Sequence, residues 1–205
     1  MKHLYFVSNN LVSKLNVIHS KETTFKSARK KTMLSKKGEE LAISLIKMQV
    51  LENVEVVYTS EYFGAMNTGK YLAEDKRIDL VVDKRLNERV VGELGTNEFR
   101  YLKGMQEHDF NFKLENGESI LDVQKRMEDF LLDALIGPEK NMLIVTHNIA
   151  LMSLLAKYCN KGYNLYDHLI LDYHDEVMFD GTFHEMDLIE FVYDEDKCVG
   201  FRRIL

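Results

Sequence analysis

Two hydrophobic periods take turns along the chain. Leu4-Tyr5-Phe6-Val7 is a short, continuous apolar run, as expected of a strand covered on both faces. A polar loop follows, from Asn9 to about Leu34. Ser35 then stands at an N-cap position ahead of a helix with Leu41, Ala42, Leu45 and Ile46 on one face. Val54 to Tyr58 predicts a second strand, ending at Thr59-Ser60, and a helix carrying Ala65, Met66, Leu72 and Ala73 comes next. Leu80-Val81-Val82 predicts a third strand, and the charged stretch from Arg85 to Gly117 reads as irregular. Ser119 opens a helix whose capping box is completed by Asp122 and whose apolar stripe is Ile120, Val123, Met127, Phe130, Leu131 and Ala134. Met142-Leu143-Ile144-Val145 is a fourth strand that runs through Thr146-His147 directly into a helix. Phe183 to Val192 and Cys198 to Ile204 read as two strands around the turn Tyr193-Asp194-Glu195-Asp196.

Strands alternating with helices define an α/β protein with a mostly parallel central sheet. Such sheets bind ligands beyond the carboxyl ends of their strands. Ser8-Asn9-Asn10, Ser60 and Thr146-His147 are therefore expected together at one edge.

At 205 residues, one domain spanning 1–205 is expected, and a chain of this length buries a sizeable core without staples. A net charge of -6 gives no reason to expect nucleic acid or an anionic membrane as partner. Cys159 and Cys198 lack metal-ligand spacing and read as reduced, buried thiols. The apolar start turns polar at Ser8, too soon for a secretory leader. The stretch Met142 to Ala156 is interrupted by Thr146, His147 and Asn148, so neither predicts export or membrane insertion. The expectation is a cytoplasmic protein with no cofactor and no metal; a homodimer remains open.

The order of these segments resembles the histidine phosphatase superfamily (phosphoglycerate mutase-like). Six pieces carry the resemblance. The first strand leads to Ser8-Asn9-Asn10 where the family has Arg-His-Gly. Leu34-Ser35-Lys36-Lys37-Gly38 fits the family's helix start. Ser60 to Thr68 fits the segment after the second strand, with Gly64 at its arginine position. Arg85-Leu86-Asn87-Glu88 fits the stretch bearing the proton donor. Gly117-Glu118-Ser119 precedes the long helix, and Val145-Thr146-His147-Asn148 delivers the second pocket histidine. The resemblance implies a three-layer α/β/α sandwich with a helical cap insertion at about 89–135.

It also implies which chemistry has changed. The family's reaction passes through a phosphohistidine formed by nucleophilic attack on phosphorus. Asn9 stands at that position, and its amide lone pair is delocalised into the carbonyl, so the covalent step is lost. Ser8 and Gly64 replace two arginines. Hydrogen bonds to charged groups are worth roughly 1.5–3 kcal/mol each. The two replacements thus remove about 3–6 kcal/mol of phosphate grip, or roughly two to four decades of affinity. His147 and Glu88 are the retained candidates for base and acid, with Ser8, Asn10, Ser60, Gly64 and Asn148 as ligand-binding positions. His19, in the loop after the first strand, is a poor substitute nucleophile because in-line attack demands tight alignment. The basic run from Lys26 to Lys37 reads as a solvated face.

Three functions follow. A pseudophosphatase would bind a small anionic or polar molecule, or a protein, in the former phosphate pocket, where Asn67 adds to the neutral polar groups. A hydrolase of residual or altered activity would use His147 and Glu88 on water. An interaction protein would use the surface near Tyr101, Phe110 and Phe112, although such aromatics are more often core.

Overall fold

The computed structural model describes residues 1–8, 30–93, 99–184 and 187–204. Its strands and helices alternate as β1 (Lys2–Ser8), α1 (Lys36–Ser44), β2 (Val56–Thr59), α2 (Phe63–Lys76), β3 (Asp79–Val82), α3 (Phe99–His108), α4 (Ile120–Ile136), β4 (Asn141–Thr146) and α5 (Asn148–Leu155). After α5 come β5 (Asn160–Tyr163), β6 (Leu169–Tyr173), β7 (Glu176–Phe179), β8 (Leu188–Asp194) and β9 (Lys197–Arg203).

The central sheet has six strands in the order β3-β2-β4-β1-β8-β9. β1, β2, β3 and β4 run parallel, while β8 and β9 add an antiparallel edge. This is the α/β architecture with a mostly parallel sheet that the sequence predicts. Successive side chains of a strand point to opposite faces, and the core divides accordingly. Leu4, Phe6, Met142 and Ile144 pack with the stripe of α4 and with α5, whereas Tyr5, Val7, Leu143 and Val145 pack with Ala65, Leu72 and Ala73 of α2. Each central strand is therefore apolar on both faces, and its sequence shows no alternation. All six stripe residues of α4 are buried, and its capping box between Ser119 and Asp122 is present with both hydrogen bonds at 3.0 Å.

Three sequence expectations need correction. The stretch 85–117 is not wholly irregular, because α3 lies within it. Strand β8 begins at Leu188 rather than Phe183; before it, the Asp187 carboxylate accepts the His184 N–H at 2.7 Å. The cysteines are free but only half-buried.

A second, three-stranded sheet, β5-β6-β7, has no counterpart in the sequence reading. Its Leu169, Leu171, Met178 and Phe179 belong to the same buried cluster as the stripe of α4 and the residues of α5. The β6–β7 turn places His174 and Asp175 at φ 50° and 65°, a left-handed pair that glycine or asparagine usually announces.

A polar cluster around the buried Glu190 ties β1 to β8 and β9. The Glu190 carboxylate accepts from His3 Nδ1 at 2.8 Å and Arg202 Nε at 2.7 Å, with its side chain 4% exposed. Burial alone would raise this carboxyl, but the bonds from His3 and Arg202 outweigh it and hold Glu190 below the ordinary glutamate value of 4.5. A folded-state pKa depressed in this way contributes stability that is present above 4.5 and lost as pH falls through the lower, folded value. Glu190→Gln is therefore expected to flatten the acid limb of a melting-temperature profile below pH 4.5. An unchanged acid limb would show that this cluster does not contribute.

Candidate functional site

The carboxyl ends of β1, β2 and β4 converge at one edge of the sheet. Ser8 lies beside Thr146 and Thr59 beside Val145 in the strand register, so Ser8, Ser60 and His147 come from adjacent strands. β4 ends abruptly because His147 is the N-cap residue of α5, held extended at φ -134° and ψ 167°.

His147 is buried, and its Nε2 shares a 2.7 Å hydrogen bond with Ser60 Oγ. The ring packs against Tyr62 with centroids 4.6 Å apart. Ser60 Oγ also accepts the Tyr62 N–H at 3.3 Å, so one hydroxyl links the β2–α2 turn to the histidine. Ser8 is 1% exposed and donates its hydroxyl to Asn148 Oδ1 at 2.6 Å. Gly64 is buried in the first turn of α2, where its carbonyl accepts from Thr68 Oγ1 at 2.8 Å.

Glu88 is also buried, at 5% exposure, which sets aside the reading of a solvated loop residue. Its carboxylate accepts from the Arg89 N–H at 2.9 Å and makes a longer 3.4 Å contact with the Ile149 N–H, in the first turn of α5. A carboxylate at a helix N-terminus is favoured by the unpaired amides and the macrodipole there.

Three devices hold the Glu88 segment in place. Thr146 Oγ1 donates to the Leu86 carbonyl at 2.9 Å. Val90 and Glu118 exchange hydrogen bonds: Glu118 N–H to the Val90 carbonyl and Val90 N–H to the Glu118 carboxylate, both 2.7 Å. Arg126 forks onto Glu118 at 2.8 and 3.1 Å and donates to the Arg85 carbonyl at 2.6 Å. The Gly117-Glu118-Ser119 segment thus carries a clamp as well as a helix cap.

At the rim, Glu61 and Asn87 bond reciprocally at 3.1 and 2.7 Å, and Lys30 pairs with the Glu61 carboxylate. The bond from Lys30 first, then that from Asn87, hold the Glu61 carboxyl below its ordinary range despite the opposing effect of burial. Arg85 turns away toward Asp83 and Asp133.

The structure thus brings together Ser8, Ser60, Glu88, His147 and Asn148 around the start of α5, with Gly64 just beyond the Ser60 turn. Asn9 and Asn10 lie outside the described residues. Asn67 is half-buried and contacts Met33 Sδ at 3.7 Å. Sequence reasoning missed Tyr62, Glu61, Asn87 and Arg126. Glu61 and Tyr62 had a nearby signal, directly after Ser60, and so had Asn87, directly before Glu88. Of the proposed contact aromatics, Tyr101 is 68% exposed and Phe110 is buried in the core. Among the described residues, no group of three or more His, Cys, Asp or Glu is arranged to hold a metal, and no helix is long and apolar enough to cross a membrane.

The fold and the residues at its strand ends define an α/β scaffold with a polar site beyond the carboxyl ends of its parallel strands, and comparison with known proteins gives the family. Residues 19–189 match the Histidine phosphatase superfamily (branch 1), and the chain belongs to that family. The match begins downstream of β1, so Ser8, Asn9 and Asn10 lie outside it. Among curated proteins, the chain is 27% identical over 149 residues to "Probable phosphoglycerate mutase GpmB" of Serratia proteamaculans (strain 568), covering 66% of this chain and 69% of the relative. The namesake from Proteus mirabilis (strain HI4320) is 28% identical over 109 residues, covering 49% of this chain and about half, 51%, of the relative.

Solved structures share the fold. Native mycobacterial glucosyl-3-phosphoglycerate phosphatase superposes with a TM-score of 0.67 at 16% identity, over 100% of this chain and 97% of that one. Bacillus stearothermophilus YhfR gives 0.65 at 21% identity, over 97% and 94%. The α-ribazole phosphatase from Shigella flexneri gives 0.63 at 19% identity, over 96% and 93%.

Proposed function

We propose that this histidine phosphatase-fold protein is a pseudophosphatase, which binds a small polar molecule or a protein in the former phosphate pocket without phosphohistidine chemistry. The observation that carries the reading is the Ser8–Asn148 pair. At the end of β1, where the family resemblance calls for a phosphate-gripping arginine, a buried hydroxyl instead donates to a neutral carboxamide 2.6 Å away. The sequence supports it further, with Asn9 next in line and Gly64 at the second arginine position. Among the described residues, Lys30 engages the Glu61 carboxylate and Arg85 those of Asp83 and Asp133.

Phosphoryl transfer relies mainly on positioning and on charge stabilisation of the transferred group. A site without the nucleophile and both guanidinium groups lacks the covalent step and most of that stabilisation. Incubation with 32P-labelled small phosphate esters, followed by acid-labile phosphoprotein analysis, is expected to leave the protein unlabelled. A labelled histidine would overturn the reading.

One observation favours a second reading, a hydrolase of altered mechanism: His147 and Glu88 are both buried at the start of α5. That function requires turnover that disappears in both His147→Ala and Glu88→Ala.

A further inference from the structure

We propose that the chain forms a two-fold homodimer through a groove at the amino ends of β1 and β4, the edge of the sheet opposite the candidate site. The inference goes beyond the pseudophosphatase reading and does not depend on it.

The groove encloses about 700 Å³ and is bounded by the last turn of α4, the starts of β1 and β4 and the β8–β9 turn. Its floor is apolar yet open to solvent: Ile136 is 84% exposed, Leu132 is 53% exposed, and Pro138 lies beside them. Leu132 and Ile136 stand four residues apart and so share one face of α4, outside the stripe that fills the core. Contiguous apolar surface of this kind, rimmed by charge, marks a contact surface.

The charged rim identifies the occupant. Lys140 and Lys2 stand at the starts of the paired strands β4 and β1, and on the other side of β1 the β8–β9 turn carries the exposed Asp194, Glu195 and Asp196, with Lys197 following. The charge along this end of the sheet therefore runs from positive at β4 to negative at the turn. Lys2 is engaged by the Gly137 carbonyl, and the Glu55 carboxylate near Lys140 accepts the backbone N–H groups of Lys140 and Asn141. Among the described residues, none of Lys140, Asp194, Glu195 and Asp196 has an ion-pair partner. A surface with both signs in separate places is complementary to itself. A two-fold axis through the groove turns one copy's Lys140 toward the acidic turn of the other, and the reverse contact follows by symmetry. The same operation lays the two α4 ends together and takes Leu132 and Ile136 out of water. A partner of a single charge sign would match only half of the rim.

Sedimentation velocity of the full chain, from roughly 1 to 200 μM, is the test. The natural protein is expected to pass from monomer to dimer across that range. Ile136→Glu is expected to weaken the dimer by about tenfold or more, because it places a charge in the apolar floor. Lys140→Glu is expected to do the same, and so is Asp194→Lys combined with Asp196→Lys, since each sets like charges against one another. An equimolar mixture of the last two variants should dimerise again, because each then meets opposite charge on the other. A natural protein that stays monomeric, a dimer indifferent to Ile136→Glu, a mixture no more associated than its parts, or growth beyond the dimer would each overturn the proposal. Turnover of a phosphate ester reports on the opposite edge of the sheet, so failure of the pseudophosphatase reading would leave this result standing.

Discussion

Gly92→Ala is expected to lower folding stability by about 2–6 kcal/mol. Gly92 sits at φ +88°, a conformation that costs a side-chain-bearing residue about 1–3 kcal/mol. A Cβ there would also stand 2.5 Å from the Glu115 carbonyl oxygen and 3.0 Å from the Gly117 Cα. Both neighbours are backbone and cannot swing aside, so overpacking adds about 1–3 kcal/mol. The strained region is the one that holds Glu88, since Glu93 N–H bonds the Glu115 carbonyl at 3.1 Å and Val90 pairs with Glu118. Urea unfolding measures the loss as a shift in midpoint. Gly104→Ala provides the contrast: it lies inside α3 with nothing within 4 Å of the added Cβ, and is expected to gain about 0.5–1 kcal/mol. Equal effects of the two substitutions would contradict the close approach of residues 92 and 117.

Phe130→Ala is expected to cost about 3–5 kcal/mol, the range for truncating a buried aromatic residue. Phe130 is 1% exposed on the inner stripe of α4. It meets Tyr58 of β2 edge-to-face at 5.2 Å, and the Arg85 guanidinium lies 5.7 Å over its ring. The side chain therefore joins the helix, the sheet and the segment that leads to Glu88. Phe130→Leu, which fills most of the volume, should recover a large part of the loss. A cost below 1 kcal/mol for the alanine variant would mean that α4 does not pack as described.

The fold was readable where packing writes a periodic signal. Leu4 to Val7 and Met142 to Val145 are apolar at every position because helices cover both faces of the sheet, and the stripe from Ile120 to Ala134 is apolar at helical spacing because only one face of α4 is buried. The small sheet was not readable. Asn160 to Tyr163 is polar and largely exposed, and the β6–β7 turn uses His174-Asp175 in place of the usual glycine or asparagine. Helix α3 was hidden in a charged stretch.

The candidate site divides in the same way. Ser60, Glu88 and His147 stand at strand ends and in motif positions, so sequence order placed them. Tyr62, Glu61 and Asn87 reach the site through contacts between separate loops, which no local pattern records. The Glu118–Arg126 fork spans one helix start, yet its purpose emerges only when Val90 is seen across from it.

The central claim, a phosphatase scaffold without phosphohistidine chemistry, is tested most directly by turnover of an aryl phosphate and a panel of sugar and glycerate phosphates. The natural protein would be assayed beside His147→Ala and a triple variant carrying Ser8→Arg, Asn9→His and Gly64→Arg. The account predicts no turnover by the natural protein and measurable turnover by the triple variant. Turnover by the natural protein that disappears in His147→Ala would contradict it and require a different nucleophile.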